Sequence, residues 1–370
     1  MRFQCPKAAL QKEIAFAQEI VSTKNVISIL SNVLLIAKDG FLEIRATDIK
    51  VHFKTSFAAD IEEEGSTTVF CDKLLSILST LPEGDILFVE EGEKITISPA
   101  MSNKRVKFSL KSIASDKFPE FLDIDESNFF EIPVAEFKKM INMTIFAVSD
   151  DETRYFMNGV YIEKDNDSLL FVATDGRRLS LYSGDEHGHL PDFRGIIVPP
   201  KILSIVLKRS GDEGLLGIAI TDRIIYIKIG NYLLSSVLID GQFPQYQRVI
   251  PEKQEYSVIF SKADMLDGLR RVSLLVEQKS RRVYLRLRQD ELELSSEETD
   301  FGVAKESIPI EYEGPETSIA INYKYIEDPL KVMDVEMVRL AFTETTKAIS
   351  IFPVLEKANY FHIVMPMQLE

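Results

Sequence analysis

Few residues in this chain are of a type and spacing to do chemistry. The string Val172-Ala-Thr-Asp-Gly-Arg-Arg-Leu179 sets a carboxylate, a glycine and two guanidiniums on a tight turn, and His187 and His189 stand two apart in Glu186-His-Gly-His-Leu-Pro-Asp192. Asp175 with either histidine would make an acid/base pair or part of a metal site, as in a hydrolase. Against that reading, four histidines and two cysteines, Cys5 and Cys71, offer no matching ligand spacing. No CxxC, GxSxG, HExxH or phosphate-loop string occurs, and Gly211-Asp-Glu-Gly-Leu-Leu-Gly217 is too acidic to cradle a phosphate. The His187–His189 stretch reads as a solvated loop and the cysteines as small buried hydrophobes. The expectation is no catalytic residue, no cofactor and no metal.

Asp175 also belongs to a pattern. Thr47-Asp48, Thr174-Asp175 and Thr299-Asp300 each end a strand, at spacings of 127 and 125. Apolar residues hold even positions before the pair (Leu42, Ile44; Leu170, Val172; Leu292, Leu294) and odd positions after it (Val51, Phe53; Leu179, Leu181; Phe301, Val303). A parity change of that kind needs a turn or bulge, so the Asp reads as a turn former bonded to local N–H groups. Only Gly-Arg-Arg is added in the middle copy, as when a site is grafted onto one repeat.

The elements around this motif repeat three times. Short strands at 2–4, 129–132 and 256–260 lead into helices that open at Pro6, Pro133 and Ser261, at spacings of 127 and 128. The apolar stripes are Leu10, Ile14, Ala17 and Val21; Phe137, Met140, Ile141 and Val148; and Leu266, Leu269 and Val276. Second helices are expected at 72–81, 200–208 and 322–333, the last ending or restarting at Pro329. Strands close each third. The expected fold is α+β: three repeated domains at 1–125, 126–252 and 253–370, with helices on one face of antiparallel sheets.

The 370 residues carry 43 Lys and Arg against 58 Asp and Glu, a net charge of −15. That excludes a protein gripping nucleic acid with its whole surface. Basic residues gather on the helical segments: Lys73; Lys138 and Lys139; Lys201, Lys208 and Arg209; Arg270 and Arg271; and Lys24 just past the first helix. Solvated helix faces explain such residues singly, whereas together they form a basic helical face that could track a phosphate backbone. No apolar run approaches the ~18 residues of a membrane span, and a cytoplasmic location is expected. The C-terminal stretch, apolar nearly to its end, is expected to pack along a groove where methionines adapt to varied partners.

Four strings in order carry a resemblance: Arg154-Tyr-Phe-Met-Asn-Gly159, Ala173-Thr-Asp-Gly-Arg-Arg-Leu179, Asp240-Gly-Gln-Phe-Pro-Gln-Tyr246 and Val364-Met-Pro-Met367. With them the chain resembles, over essentially its whole length, the bacterial replicative sliding clamps, the beta subunits of DNA polymerase III. The resemblance implies a head-to-tail homodimer that closes six domains into a ring around duplex DNA, non-catalytic and conferring processivity. The replicative polymerase, the clamp loader and repair proteins would dock through short peptides in one groove. Matching groove positions are Arg154, Phe156, Met157, Thr174, Gly176, Arg177, Arg178, Leu179, Pro244, Arg248 and Val249, continuing as Asn322, Tyr325, Thr346, Ala348, Ile363, Val364, Met365, Pro366 and Met367. Phe108 and Leu110 match one side of the dimer interface, and Leu274 and Leu275 the other; Lys24, Lys201 and Tyr155 match positions near DNA. Phe156, Arg177 and Gln368 depart from the family's common Tyr, His and Arg. Two other readings are a monomeric three-domain peptide-binding scaffold and the hydrolase above.

Overall fold

The computed structural model describes residues 1–21, 28–101, 106–121, 123–187, 190–355 and 359–368, so Lys24, His189 and Glu370 lie outside the described residues. The chain packs into two compact units, Met1–Pro133 with Glu213–Leu238, and Val134–Asp212 with Ile239–Glu370.

In the first unit a five-stranded antiparallel sheet runs, in spatial order, Asp60–Glu63, Arg2–Pro6, Asp85–Glu91, Lys94–Pro99, Phe108–Lys111. An eight-stranded sheet runs Phe130–Pro133, Leu215–Ile220, Ile224–Ile229, Tyr232–Val237, Val51–Ala58, Phe41–Thr47, Asn32–Lys38, Gly65–Phe70. Strands of the middle third thus continue the sheet of the first third, with Leu234 opposite Phe53. Helix α1 (Lys7–Ile20) buries Leu10, Ile14, Phe16, Ala17 and Ile20, and α2 (Cys71–Thr80) buries Cys71, Leu74 and Leu78. The Phe16 ring lies 4.4 Å from that of Phe53 and 5.0 Å from that of Tyr232, so one apolar cluster ties α1 to strands from both thirds.

The second unit repeats the plan. Its eight-stranded sheet runs Ile196–Val198, Val160–Asp165, Ser168–Thr174, Arg178–Ser183, Tyr360–Val364, Ile349–Pro353, Met337–Phe342, Tyr256–Ser261. A four-stranded sheet runs Lys305–Pro309, Glu291–Ser296, Arg282–Arg288, Thr317–Asn322. The helices are α3 (Val134–Asn142), α4 (Pro200–Arg209), α5 (Lys262–Val272) and α6 (Lys324–Val332). Two stripes differ from expectation. Helix α3 ends before Val148, and α5 buries Met265, Leu269 and Val272, leaving Leu266 half-buried. Gly268 sets that rotation: a Cβ there would lie 2.7 Å from Leu294 Cδ1, so α5 turns its glycine toward the sheet.

Pro329 neither ends nor restarts α6, which runs through it. Proline has no N–H to give the carbonyl four residues earlier. That carbonyl, on Tyr325, instead accepts a hydrogen bond from Nε2 of the fully buried His362 at 3.1 Å. Burial, and secondarily the charge of Arg178, pushes the imidazole from 6.5 down to about 3. The unfolded chain therefore takes up a proton near pH 6.5 that the folded chain refuses until about pH 3. Stability from this group is complete above pH 6.5 and is lost as the pH falls through that window. The melting temperature of wild-type protein should fall more steeply than that of a His362→Gln variant below about pH 6.5; parallel slopes would sink the assignment.

Candidate functional site

The Thr-Asp pairs are built as turns. Thr47 Oγ1 donates to the Val51 carbonyl at 2.9 Å and accepts from the Ile49 N–H at 2.9 Å, while Asp48 Oδ1 accepts from the N–H groups of Lys50 and Val51. In the middle copy Thr174 bonds the Arg178 carbonyl and the Gly176 N–H, and Asp175 accepts from the N–H groups of Arg177 and Arg178. The residue after the Asp is left-handed in both, Ile49 at φ 80° and Gly176 at φ 85°. Gly176 satisfies a second demand: a Cβ would lie 2.7 Å from the Arg154 guanidinium.

The added arginines have separate roles. Arg178 is nearly buried and committed within the protein: Nε to Asp175 at 3.1 Å, Nη1 to Asp328 at 2.6 Å and Nη2 to the Phe146 carbonyl at 2.6 Å. Its guanidinium also lies over the rings of Phe146 and Tyr325, 5.5 and 4.9 Å from their centroids. Arg178 therefore braces the turn against α6. Arg177 is exposed, and its carbonyl accepts from the Met365 N–H at 2.8 Å.

These contacts gather the expected groove residues in the second unit. Leu170, Val172, Leu179, Ile197, Phe243, Tyr246 and Ile363 form one buried cluster, with Phe156 and Ala348 against it. Met157, Thr174, Leu179 and Ile363 are buried, and Val364 has no exposed surface. Pro244 is half-buried, whereas Val249 (48% exposed), Arg248, Thr346 and Met365 (40%) are exposed. Arg154 is held by Asp151 at 2.8 Å, and Asn322 Oδ1 caps the first N–H of α6. Met367 donates its N–H to Ala320 at 2.8 Å, and Pro366 is half-buried. Buried apolar side chains thus lie beside the exposed Arg177, Arg248 and Met365, a composition suited to an extended peptide with an apolar anchor.

His187 is bonded to Glu136, not to Asp175. His187 is not solvated: Nε2 lies 3.0 Å from Glu136 Oε1, both side chains 12% exposed, and this contact with the Asp185 N–H holds the loop. No cluster of three His, Cys, Asp or Glu side chains that could hold a metal occurs among the described residues. Cys5 and Cys71 are buried, their thiols pushed up to about 12 by burial first.

The basic residues lie on helices but many are partnered. Lys138 bonds Asp212 at 2.6 Å, and Arg271 bonds Glu306 and approaches Asp267. Arg270 lies 3.7 Å from Asp267, Lys139 lies over Tyr182, and Lys73 lies 3.8 Å from Asp72 with most of its side chain exposed. Lys201, Lys208 and Arg209 fall on α4, and Tyr155 is 53% exposed. Phe108 and Leu110 are half-buried on the strand that ends the five-stranded sheet. Leu274, 80% exposed, and the half-buried Leu275 follow α5, which packs on Lys305–Pro309, the strand ending the four-stranded sheet. No helix among the described residues is long and apolar enough to cross a membrane.

Comparison with known proteins covers the chain in three consecutive matches to the DNA polymerase III beta subunit: its N-terminal domain over 1–123, central domain over 131–245 and C-terminal domain over 247–368. A beta sliding clamp of Treponema pallidum is 42% identical over 374 residues, covering all of both chains. The crystal structure of the DNA polymerase III subunit beta from Pseudomonas aeruginosa matches with a TM-score of 0.94 at 28% identity, with full coverage of each chain. A second Pseudomonas aeruginosa structure, bound to griselimycin, matches at 0.92 and 28%, again over all of both chains.

Proposed function

The chain belongs to the DNA polymerase III beta subunit family, the sliding clamps, and we propose from this that it encircles duplex DNA in the cytoplasm and tethers replication proteins through the groove around Leu179. It is a non-catalytic DNA sliding clamp for replication processivity. The consecutive match of all three domains carries that statement.

Among the strands that end sheets are Phe108–Lys111 in the first unit and Lys305–Pro309 in the second. A head-to-tail contact joins the first edge of one copy to the second edge of its partner, with Phe108 and Leu110 against Leu274 and Leu275. Such a heterologous interface closes when its rotation permits. Encirclement replaces affinity: at a net charge of −15 the body repels DNA, while Lys73, Lys139, Lys201, Lys208 and Arg209 supply weak, sequence-independent attraction to phosphates. Lys138, Arg270 and Arg271, also on helices, add to that attraction. The polymerase, the clamp loader and repair proteins compete for the groove through short peptides, an apolar anchor over Leu179 and Ile363 with polar contacts at Arg154, Arg177 and Arg248.

Retention separates the readings. Loaded by a clamp loader, the protein should stay on nicked circular DNA through gel filtration in moderate salt and slip off once the circle is linearised. Equal retention on both forms would mean ordinary surface binding. A wild-type solution mass of 42.0 kDa at every dilution would favour the monomeric scaffold.

A further inference from the structure

Glu163 belongs to none of the motifs above, yet two tyrosine hydroxyls converge on it. In the strand Val160–Asp165, Tyr161 and Glu163 share a face. Residues 240–249 lie over that face and are anchored by Phe243 and Tyr246, 7% and 5% exposed. The Tyr161 ring stacks on Phe243 with centroids 4.7 Å apart and planes 7° apart. Tyr161 Oη donates to Glu163 Oε2 at 3.0 Å, and Tyr246 Oη donates to Oε1. One carboxylate thus accepts two phenol hydrogen bonds, of the charge-assisted kind that are the stronger ones. Gly195 makes room for the arrangement, since a Cβ there would lie 2.0 Å from Tyr161 Oη. Burial, then the bond to Glu163, pushes the Tyr161 phenol up to about 12 and Tyr246 higher still, so both remain donors.

Tyr246 opens the short helical turn Tyr246–Val249, whose exposed residues include Arg248 and Val249. We propose that Glu163 is a positioning residue for partner binding: by accepting both hydroxyls it holds Pro244, Arg248 and Val249 as a preorganised wall of the groove. The inference rests on the groove reading above. A loose segment would have to be ordered by each arriving peptide, and that cost would be subtracted from affinity.

The test uses the full-length protein, a fluorescein-labelled synthetic peptide ending in a leucine–phenylalanine anchor, and amide hydrogen exchange over residues 244–250. Glu163→Ala and Tyr246→Phe should each weaken the peptide by roughly five- to tenfold. Their combination should be no weaker than the worse single variant, because both break one linkage. Glu163→Gln, which keeps one acceptor oxygen, should recover part of the loss. Exchange over 244–250 should quicken in all variants while the solution mass stays that of wild type. Unchanged exchange, peptide affinity within twofold of wild type, or losses that multiply would each overturn the role. If wild-type protein fails to bind the peptide, the groove reading fails and the positioning role falls with it.

Discussion

Replacing Leu274 and Leu275 together by glutamate should bring the solution mass from twice 42.0 kDa down to 42.0 kDa and abolish retention on circular DNA. Leu274 is 80% exposed directly after a well-packed helix, where a solvated side chain has no reason to be leucine. Burying a leucine against apolar partners such as Phe108 and Leu110 contributes roughly 1.5–3 kcal/mol. In a two-fold head-to-tail ring each substitution acts at both interfaces. Carboxylates placed there would also have to be desolvated without a partner. Even the apolar loss alone raises the dissociation constant by on the order of a thousandfold or more. Light scattering across a dilution series reads this directly. The groove includes neither leucine, so peptide affinity should not change. A variant that keeps the dimer mass and the circular DNA would place the interface elsewhere.

Legibility in the sequence followed the range of the interaction. Helix starts at Pro6, Pro133 and Ser261 and the turns at Thr47-Asp48 and Thr174-Asp175 are local, and apolar period, proline and Asx chemistry mark them. The pairing of Tyr232–Val237 with Val51–Ala58, and of Arg178–Ser183 with Tyr360–Val364, is not local. Backbone edges carry no residue code for their partner, so the joining of sheets between thirds had no signature beyond alternation. Pro329 misled for a related reason: the lost helical bond is made good by His362, 33 residues on. Val364 and Arg178 matched the groove by position; the burial of Val364 and the bonds of Arg178 to Asp328 and the Phe146 carbonyl come from partners distant in sequence. Glu163 was invisible because its meaning lies in Tyr246, 83 residues away; the one cue was Tyr161 and Glu163 at strand spacing, which any outward face supplies.

Deleting residues 365–370 should weaken peptide binding by more than roughly a hundredfold and leave the dimer intact. The tail is stitched at both sides, Met365 N–H to the Arg177 carbonyl and Met367 N–H to the Ala320 carbonyl, each at 2.8 Å. It therefore ties the Arg177 turn to the strand Thr317–Asn322 and leaves Met365 exposed. Deletion removes the backbone stitches and the apolar surface together. Truncating only the side chains, by Met365→Ala with Met367→Ala, keeps the stitches and removes the surface. If the methionines act by covering the peptide's anchor, the double alanine variant should lose most of what the deletion loses, since an anchor of leucine size draws about 1.5–3 kcal/mol from such cover. If the stitches matter more, the alanine variant should bind within about threefold of wild type, because the turn keeps its shape. Both variants should retain the wild-type mass, as Phe108, Leu110, Leu274 and Leu275 are untouched. Peptide bound by the deletion variant at wild-type affinity would mean that the docking surface is not the one formed around Leu179 and Ile363.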